Sequence, residues 1–518
     1  MIFWRVKPLD AILATAEKKS LHRSLGPLQL TLLGVGAIIG TGIFVLTAEA
    51  AQKAGPGMMI SFVIAGFVCA VAALCYSELA AMVPVSGSAY TYSYAVLGEL
   101  IAWLVGWALV LEYAVAASAV AVGWSGYFAG LLQGYLGITL PPELTNGPYA
   151  GGIINLPAVI VCLLVSGLLI VGTKESATVN AVLVTVKIAA LLAFIALALP
   201  VMETRHFEPF LPLGASGAMG AAASIFFAYV GFDAVSTAAE ETKDPQRNLP
   251  IGLIGSLGLC TVFYLVVSAG AIGAVGAQPL LDASGNGYAP GSVALAEQCA
   301  TLASAGQEPL VCSREALAQV LRQIGWEHVG NLVGFAAFLA LPSVILMLLF
   351  GQTRIFFVMA RDGLLPEFLS RIHPRFKTPH IVTMITGVGV SAAAAFLPVG
   401  KLADISNSGT LFAFFVVALS VMILRIRDKT RHRPFRTPAL WVVGPLAIVG
   451  CTSLFLSLPV HAKLVFPVWG GIGLVLYSLY GYRKSHVGLG QHLNLTNTLD
   501  DDGVMPALVE AAEGNGED

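Results

Sequence analysis

The sequence predicts an all-α, polytopic membrane protein with 12 transmembrane helices, and three observations carry that expectation. Of 518 residues, 57% are hydrophobic and only 11% are charged, a composition outside the range of soluble globular chains. At about 20 apolar residues per crossing, the apolar runs divide into spans near 28–50, 57–83, 98–131, 153–172, 179–200, 216–239, 249–275, 329–358, 380–398, 402–424, 438–458 and 462–482. Lys and Arg then gather on alternate connections, as expected where they stay on the cytoplasmic side. With the N-terminus inside, only Lys53, Arg205, Arg314, Arg322, Lys401 and Lys463 fall outside, and Lys187 alone lies within a span. Both termini are cytoplasmic in this arrangement.

Taken in order, residues 1–27 set Leu9, Ile12, Leu13 and Ala16 against Lys18, Lys19 and Arg23. That pattern fits an amphipathic cytoplasmic segment on the inner leaflet, with a disordered arm as the alternative; no cleavable signal is recognisable. Residues 28–200 hold five spans, 201–424 a second five, and 425–484 an accessory pair. The stretch VPVSGSAYTYSY from Val83 to Tyr94 reads as a cytoplasmic connection, because Pro84 and small polar residues favour turns. Residues 276–328 form one long outer loop, and 485–518 a disordered acidic tail without Lys or Arg. Of the seven cysteines, Cys299 and Cys312 share that outer loop. An oxidising exterior is compatible with a disulfide there, though spacing alone does not bring the two side chains together. The other cysteines lie in spans and behave as small apolar residues.

Two interruptions organise the rest. The first span contains GVGAIIGTGIF, with glycines at 34, 36, 40 and 42; the sixth contains FFAYVGFDAV from Phe226 to Val235. Glycines in one membrane helix suit close packing equally well. Corresponding interruptions in two halves, however, point to broken helices around a midplane site, as in transporters built from inverted repeats. The breaks are expected near 40–42 and near 227–233. A half-helix beginning after Gly42 offers free amides, which suit a carboxylate. Half-helices ending before Gly40 and around Ala228 offer free carbonyls, which suit an ammonium. A small ligand carrying both groups is an α-amino acid.

Lys187 is the sharpest single residue. It lies in AVLVTVKIAALLAF, about 12 Å from the helix end at 1.5 Å per residue, a depth at which an ionisable group faces the protein interior and marks an ion or proton path. A snorkelling or carbonyl-satisfied structural lysine is the alternative. Glu112 and Asp233 are candidates for a pocket role or for a structural one, whereas Glu78, nearer a span end, reads as structural. Phe226, Phe227, Tyr229 and Phe232 either cover a ligand or pack. Glu240, Glu241, Lys243, Asp244 and Arg247 at the inner end of span six are either gate ion pairs or solvated charges. No G-x-x-x-x-G-K-[ST] phosphate loop and no H-E-x-x-H occurs, and GVGAIIG lies in a span without a preceding strand. These absences argue against an ATP-driven pump, a metalloprotease and a dinucleotide enzyme. No cofactor, metal, catalytic residue or nucleic-acid partner is expected.

Four stretches carry a family resemblance: RSLGPLQLTLLGVGAIIGTGIFVLTA from Arg23, FFAYVGFDAVSTAAEETKDPQRNLPIG from Phe226, GQTRIFFVMARDGLLPEFLSRIHPRFKTP from Gly351, and RHRPFRTPALWVVGPLAIVGC from Arg431. The chain resembles amino acid permeases of the amino acid-polyamine-organocation superfamily, in its bacterial cationic amino acid transporter branch. The resemblance implies the leucine-transporter fold, with five plus five inverted helices and two more. It implies carboxylate-binding amides near Gly40, Thr41, Gly42 and Ile43, and ammonium-binding carbonyls near Ile38, Phe227, Ala228 and Val230. It also implies that Lys187 stands where sodium sits in sodium-coupled relatives, hence proton coupling. In span eight, FAAFLALPSVILML offers Ser343 beside Pro342 where a sodium site wants a pair of hydroxyls. The expectation is a proton-coupled importer of α-amino acids, neutral or cationic, in a bacterial cytoplasmic membrane. An amino acid exchanger and a non-transporting amino acid sensor are the alternatives. Its partners would be the amino acid, the proton and membrane lipid, with a small regulatory membrane protein as a candidate for the termini.

Overall fold

Long apolar runs in lipid must pair their backbone groups internally, and the α-helix does this within a single segment. The computed structural model describes residues 5–6, 25–83, 88–172, 177–237, 242–376 and 378–489. Most of the amphipathic N-terminal segment, the acidic tail beyond residue 489, Glu240 and Glu241 lie outside the described residues. Among those described, the regular structure is helical; β pairing is confined to the isolated bridges Leu25 to Thr242 and Leu281 to Gly287.

The first apolar run forms α1 (Pro27–Ile38), α2 (Thr41–Phe44) and α3 (Leu46–Ala54), and α4 (Met58–Met82) follows. Then come α5 (Ser88–Val96), α6 (Glu99–Leu136), α7 (Leu156–Val171) and α8 (Ala177–Ala198). The second half contains α9 (Gly214–Ile225), α10 (Ala234–Thr237), α11 (Pro245–Val275), α12 (Val293–Ser304), α13 (Ala316–Gln323), α14 (Glu327–Arg361), α15 (His380–Phe396) and α16 (Val399–Arg427). Helices α17 (Leu440–Ser457) and α18 (Val460–Leu476) follow, and the helical path continues through Tyr477–Gly481 to Tyr482–Lys484. Among the described residues, eight helical stretches are long and apolar enough to cross a membrane, and α1, α7 and α15 are shorter apolar helices. Helix α6 packs along α14 and α16, and α11 along α4 and α1. Leu164, Val388, Val449 and Val468 are exposed on the outer helices, as lipid-facing side chains are.

Two connections carry structure of their own. Residues 88–96, within and just beyond the expected connection, are a fully buried helix, α5. Their polarity is satisfied inside the protein: the Tyr90 hydroxyl donates to Asp362 Oδ2 at 2.8 Å and the Tyr94 hydroxyl to Glu99 Oε2 at 3.0 Å. The long connection between α11 and α14 is structured. Cys299 and Cys312 are joined by a disulfide, with Cα atoms 5.6 Å apart, and α13 buries Ala316, Leu317, Ala318 and Leu321 completely. Arg314 holds the loop down, donating to Ser125 Oγ at 3.1 Å and to the Thr145 carbonyl at 2.9 Å. Burial pushes its guanidinium down to about 10, still charged at neutral pH.

On the other face Glu78 is a clamp. Its carboxylate accepts from Arg425 at 2.8 and 2.6 Å and from the Thr437 amide at 2.8 Å. Arg433 Nε stands 3.3 Å away, so this one acid ties α4 to the end of α16 and to the connection that follows.

Candidate functional site

The first interruption is a true change of backbone course. Helix α1 ends at Ile38, Ile39 is extended (φ −71, ψ 100), and Gly40 (φ −156, ψ −141) precedes the restart at Thr41. The amide-bearing start therefore lies at Thr41, slightly ahead of the glycine at 42. The amides of Thr41, Gly42 and Ile43 head a new helix and have no acceptor within it. Ile38, Gly40, Thr41, Gly42 and Ile43 are all buried, and the Thr41 hydroxyl has no hydrogen-bond partner among the described residues.

The second interruption faces the first. Helix α9 tightens into a short 3-10 turn over Phe226–Tyr229, Val230 is extended (φ −60, ψ 137), and Gly231 adopts φ +111 before α10. Phe226, Phe227, Ala228, Val230, Phe232 and Asp233 are buried. The two breaks pass within backbone contact. A Cβ on Gly42 would lie 2.3 Å from Ala228 Cα, and one on Gly231 would lie 3.0 Å from the Ala37 carbonyl oxygen. Only glycine permits both the approach and the positive φ.

Side chains from other helices reach the carbonyls around the first break. The Lys187 ammonium, 2% exposed, donates to the Gly36 carbonyl at 2.8 Å. The Tyr264 hydroxyl stands 2.9 Å from the Ile38 carbonyl oxygen and 2.8 Å from that of Ala228. One phenolic proton thus serves two acceptors, one from each break. The Tyr127 hydroxyl donates to the Phe44 carbonyl at 2.7 Å. Sequence reading did not single out Tyr264 or Tyr127; the available signal was a polar-tipped ring in an apolar span, which needs a buried partner.

The remaining candidates lie to one side. Glu112 is 1% exposed and abuts α16, where a Cβ on Gly409 would lie 3.4 Å from its own Cβ. Its Oε2 has no hydrogen-bond partner among the described residues. Asp233 Oδ2 accepts from the Tyr113 hydroxyl at 3.1 Å, and the Ser236 hydroxyl donates to the Asp233 carbonyl at 2.6 Å. Phe226 and Phe232 pack on Phe414 of α16, with ring centroids 6.0 and 5.1 Å apart. The Tyr229 hydroxyl donates to the Phe62 carbonyl at 3.0 Å. The Ser343 hydroxyl is engaged on its own helix, donating to the Ala340 carbonyl at 2.8 Å. Lys243, Asp244 and Arg247 are exposed.

A further ionic group lies beyond the first break. Lys53 of α3 stands 2.9 Å from Glu49 Oε1 and 3.3 Å from Asp404 Oδ2, and the Ser224 hydroxyl also bonds Asp404. This cluster ties α3, α9 and α16 together, a grouping that charge placement along the sequence did not reveal. Among the described residues no cluster of His, Cys, Asp or Glu is arranged to hold a metal ion.

The amino acid permease family profile matches residues 25–482. The branched-chain amino acid permease BcaP of Bacillus subtilis (strain 168) is 44% identical over 488 residues, 93% of this chain and 98% of that protein. The methylthioribose transporter of the same organism is 41% identical over 485 residues, again 93% and 98% of the two chains. The vacuolar cationic amino acid transporter 4 of Arabidopsis thaliana is 35% identical over 412 residues, 78% of this chain and 64% of that one.

Proposed function

This chain belongs to the amino acid permease family, and from that premise we propose that it imports α-amino acids, branched-chain ones among them, across a bacterial cytoplasmic membrane by proton-coupled alternating access. The facing pair of helix breaks carries this reading. The amides of Thr41, Gly42 and Ile43, with that of Gly40 beside them, receive the substrate carboxylate at the positive end of a helix. The carbonyls of Ile38, Phe227, Ala228 and Val230 receive its ammonium. Because Tyr264 has one proton for two of those carbonyls, one of them is always short of a donor and ready for the ammonium. Gly40 opens toward Val344, whose Cγ2 would lie 3.5 Å from an added Cβ, an apolar neighbour suited to a branched aliphatic side chain. The identity with BcaP supports that substrate class. The identity with the methylthioribose transporter favours a second reading, a sugar thioether substrate, which would leave the amides and carbonyls of the breaks without their charged partners.

In this reading α1, α2 and α3 form one broken span and α9, the 226–229 turn and α10 another, within 12 spans arranged as five plus five inverted helices and an accessory pair. Both termini are cytoplasmic. Protonated Lys187 fixes the end of α1 through a charge-assisted hydrogen bond to Gly36. Proton release inward weakens that bond and loosens α1, opening the site to the cytoplasm. Asp233 ties the sixth span to α6 through Tyr113, and Glu112 of α6 packs on α16, neither of them touching substrate.

The test is uptake of radiolabelled amino acids into proteoliposomes with an inward proton gradient, with none, and with unlabelled amino acid preloaded. Accumulation of leucine, isoleucine or valine only under the gradient is the expected result. Uptake that requires preloading in every case makes the protein an exchanger, and binding without flux makes it a sensor. Methylthioribose uptake to the exclusion of amino acids overturns the substrate assignment.

A further inference from the structure

Away from the breaks, a groove of about 620 Å³ runs between the start of α11 and the connection joining α16 to α17. Arg247, Ile251 and Ile254 line one wall, and Pro434 and Phe435 the other. The wall on α11 is a single helical stripe, since positions four and three residues apart share a face. It begins with a guanidinium and continues with two isoleucines that are 43% and 38% exposed. From Arg247 to Ile254 the helix rises about 10 Å, the interval between a lipid phosphate and the upper part of an acyl chain.

The charge at the polar end is available. Arg247 is exposed, and no side-chain hydrogen bond or ion pair of it is found among the described residues. Lys243 and Arg436, both exposed, flank the groove in sequence, and Asp244 is the one acid among its lining residues. The proposed topology puts this end of α11 on the cytoplasmic side. An apolar furrow with an exposed cation at that depth matches the headgroup and chain of a membrane lipid.

We propose that this groove holds an anionic phospholipid of the inner leaflet, its phosphate on Arg247 and one acyl chain along Ile251, Ile254 and Phe435. The inference rests on the proposed orientation of the chain, but not on what it transports. It places the lipid beside the first span's entrance, because the Lys243 amide donates to the Leu25 carbonyl at 2.9 Å, two residues before α1. A lipid seated there stiffens the anchor about which α1 would move.

Native mass spectrometry of the full-length protein, purified in detergent with equal amounts of phosphatidylglycerol and phosphatidylcholine, tests the assignment without any transport assay. Wild type is expected to retain phosphatidylglycerol preferentially, and Arg247→Gln to lower that retention about fivefold. Ile254→Trp, which fills the furrow, should remove the retained lipid, while Arg371→Gln, at an exposed arginine elsewhere, should leave it unchanged. Gel filtration of each variant establishes that it is folded. Equal retention of both lipids by wild type, unchanged retention in Arg247→Gln, or a groove that keeps no lipid because the chain's own N-terminal residues fill it would each overturn the proposal.

Discussion

The two helix breaks face one another but are held in different ways. The first is held from outside: Lys187, Tyr264 and Tyr127, each on another helix, bring protons to the carbonyls of Gly36, Ile38 and Phe44. The sixth span's break shares the Tyr264 hydroxyl at the Ala228 carbonyl and takes the Tyr113 hydroxyl at Asp233, but no ammonium, and leans further on its own residues and on packing. Gly231 supplies the positive φ, Ser236 bonds the Asp233 carbonyl, and Phe226 and Phe232 rest on Phe414. Asn407 of α16 adds bonds to the carbonyls of Ala223 and Ser224 at 2.7 and 3.0 Å. The phenol of Tyr264 holds both breaks, but only the first is also held by an ammonium, that of Lys187, and is released by a change of proton. The first break is therefore the better placed to move in the proposed cycle.

The largest expected effect breaks the fit between the two. Gly42→Ala puts a Cβ 2.3 Å from Ala228 Cα, a backbone atom with nowhere to go, whereas Gly40→Ala meets only Val344 at 3.5 Å. Overpacking of this kind costs about 1–3 kcal/mol or more, so Gly42→Ala should lose uptake by about 100-fold or fail to give a monodisperse gel-filtration peak. Gly40→Ala should fold normally. Equal behaviour of the two variants would mean that the breaks are not in backbone contact.

The next effect separates movement from binding. Lys187→Ala removes the charged donor to Gly36 and leaves the sixth span's break untouched. Gradient-driven accumulation should be abolished while exchange against preloaded substrate persists. Full gradient-dependent uptake in this variant would sink the coupling role proposed for Lys187, and loss of exchange as well would make the lysine structural.

Much of this contrast was legible in the sequence, for reasons that also fix where legibility stopped. Gly40, Gly42 and Gly231 are conspicuous because they interrupt corresponding spans of the two five-span groups. Lys187 stands out because a charge at that depth is costly. Tyr264 was not legible: a tyrosine in an apolar span looks like packing until two carbonyls from distant helices are found at its hydroxyl. The Lys53 and Asp404 contact spans 351 residues, and no local pattern announces such a pair. That the connection after α4 carries a buried helix, α5, was not legible either, because its polarity is satisfied by Glu99 nearby and by Asp362, 272 residues from Tyr90.

The smallest effect sharpens the comparison most. Tyr264→Phe keeps the ring but removes the one proton shared by the Ile38 and Ala228 carbonyls, leaving both buried acceptors short of a donor. Such a loss costs about 1–3 kcal/mol, so the apparent melting temperature in detergent should fall by a few degrees. A substrate whose ammonium meets those same carbonyls supplies the missing donor. Leucine at saturation should then raise the melting temperature of Tyr264→Phe by more than it raises that of wild type, narrowing the gap between them. A gap that stays constant with and without leucine would mean that the ammonium binds elsewhere, and that Tyr264 joins the two breaks without sharing their carbonyls with the substrate.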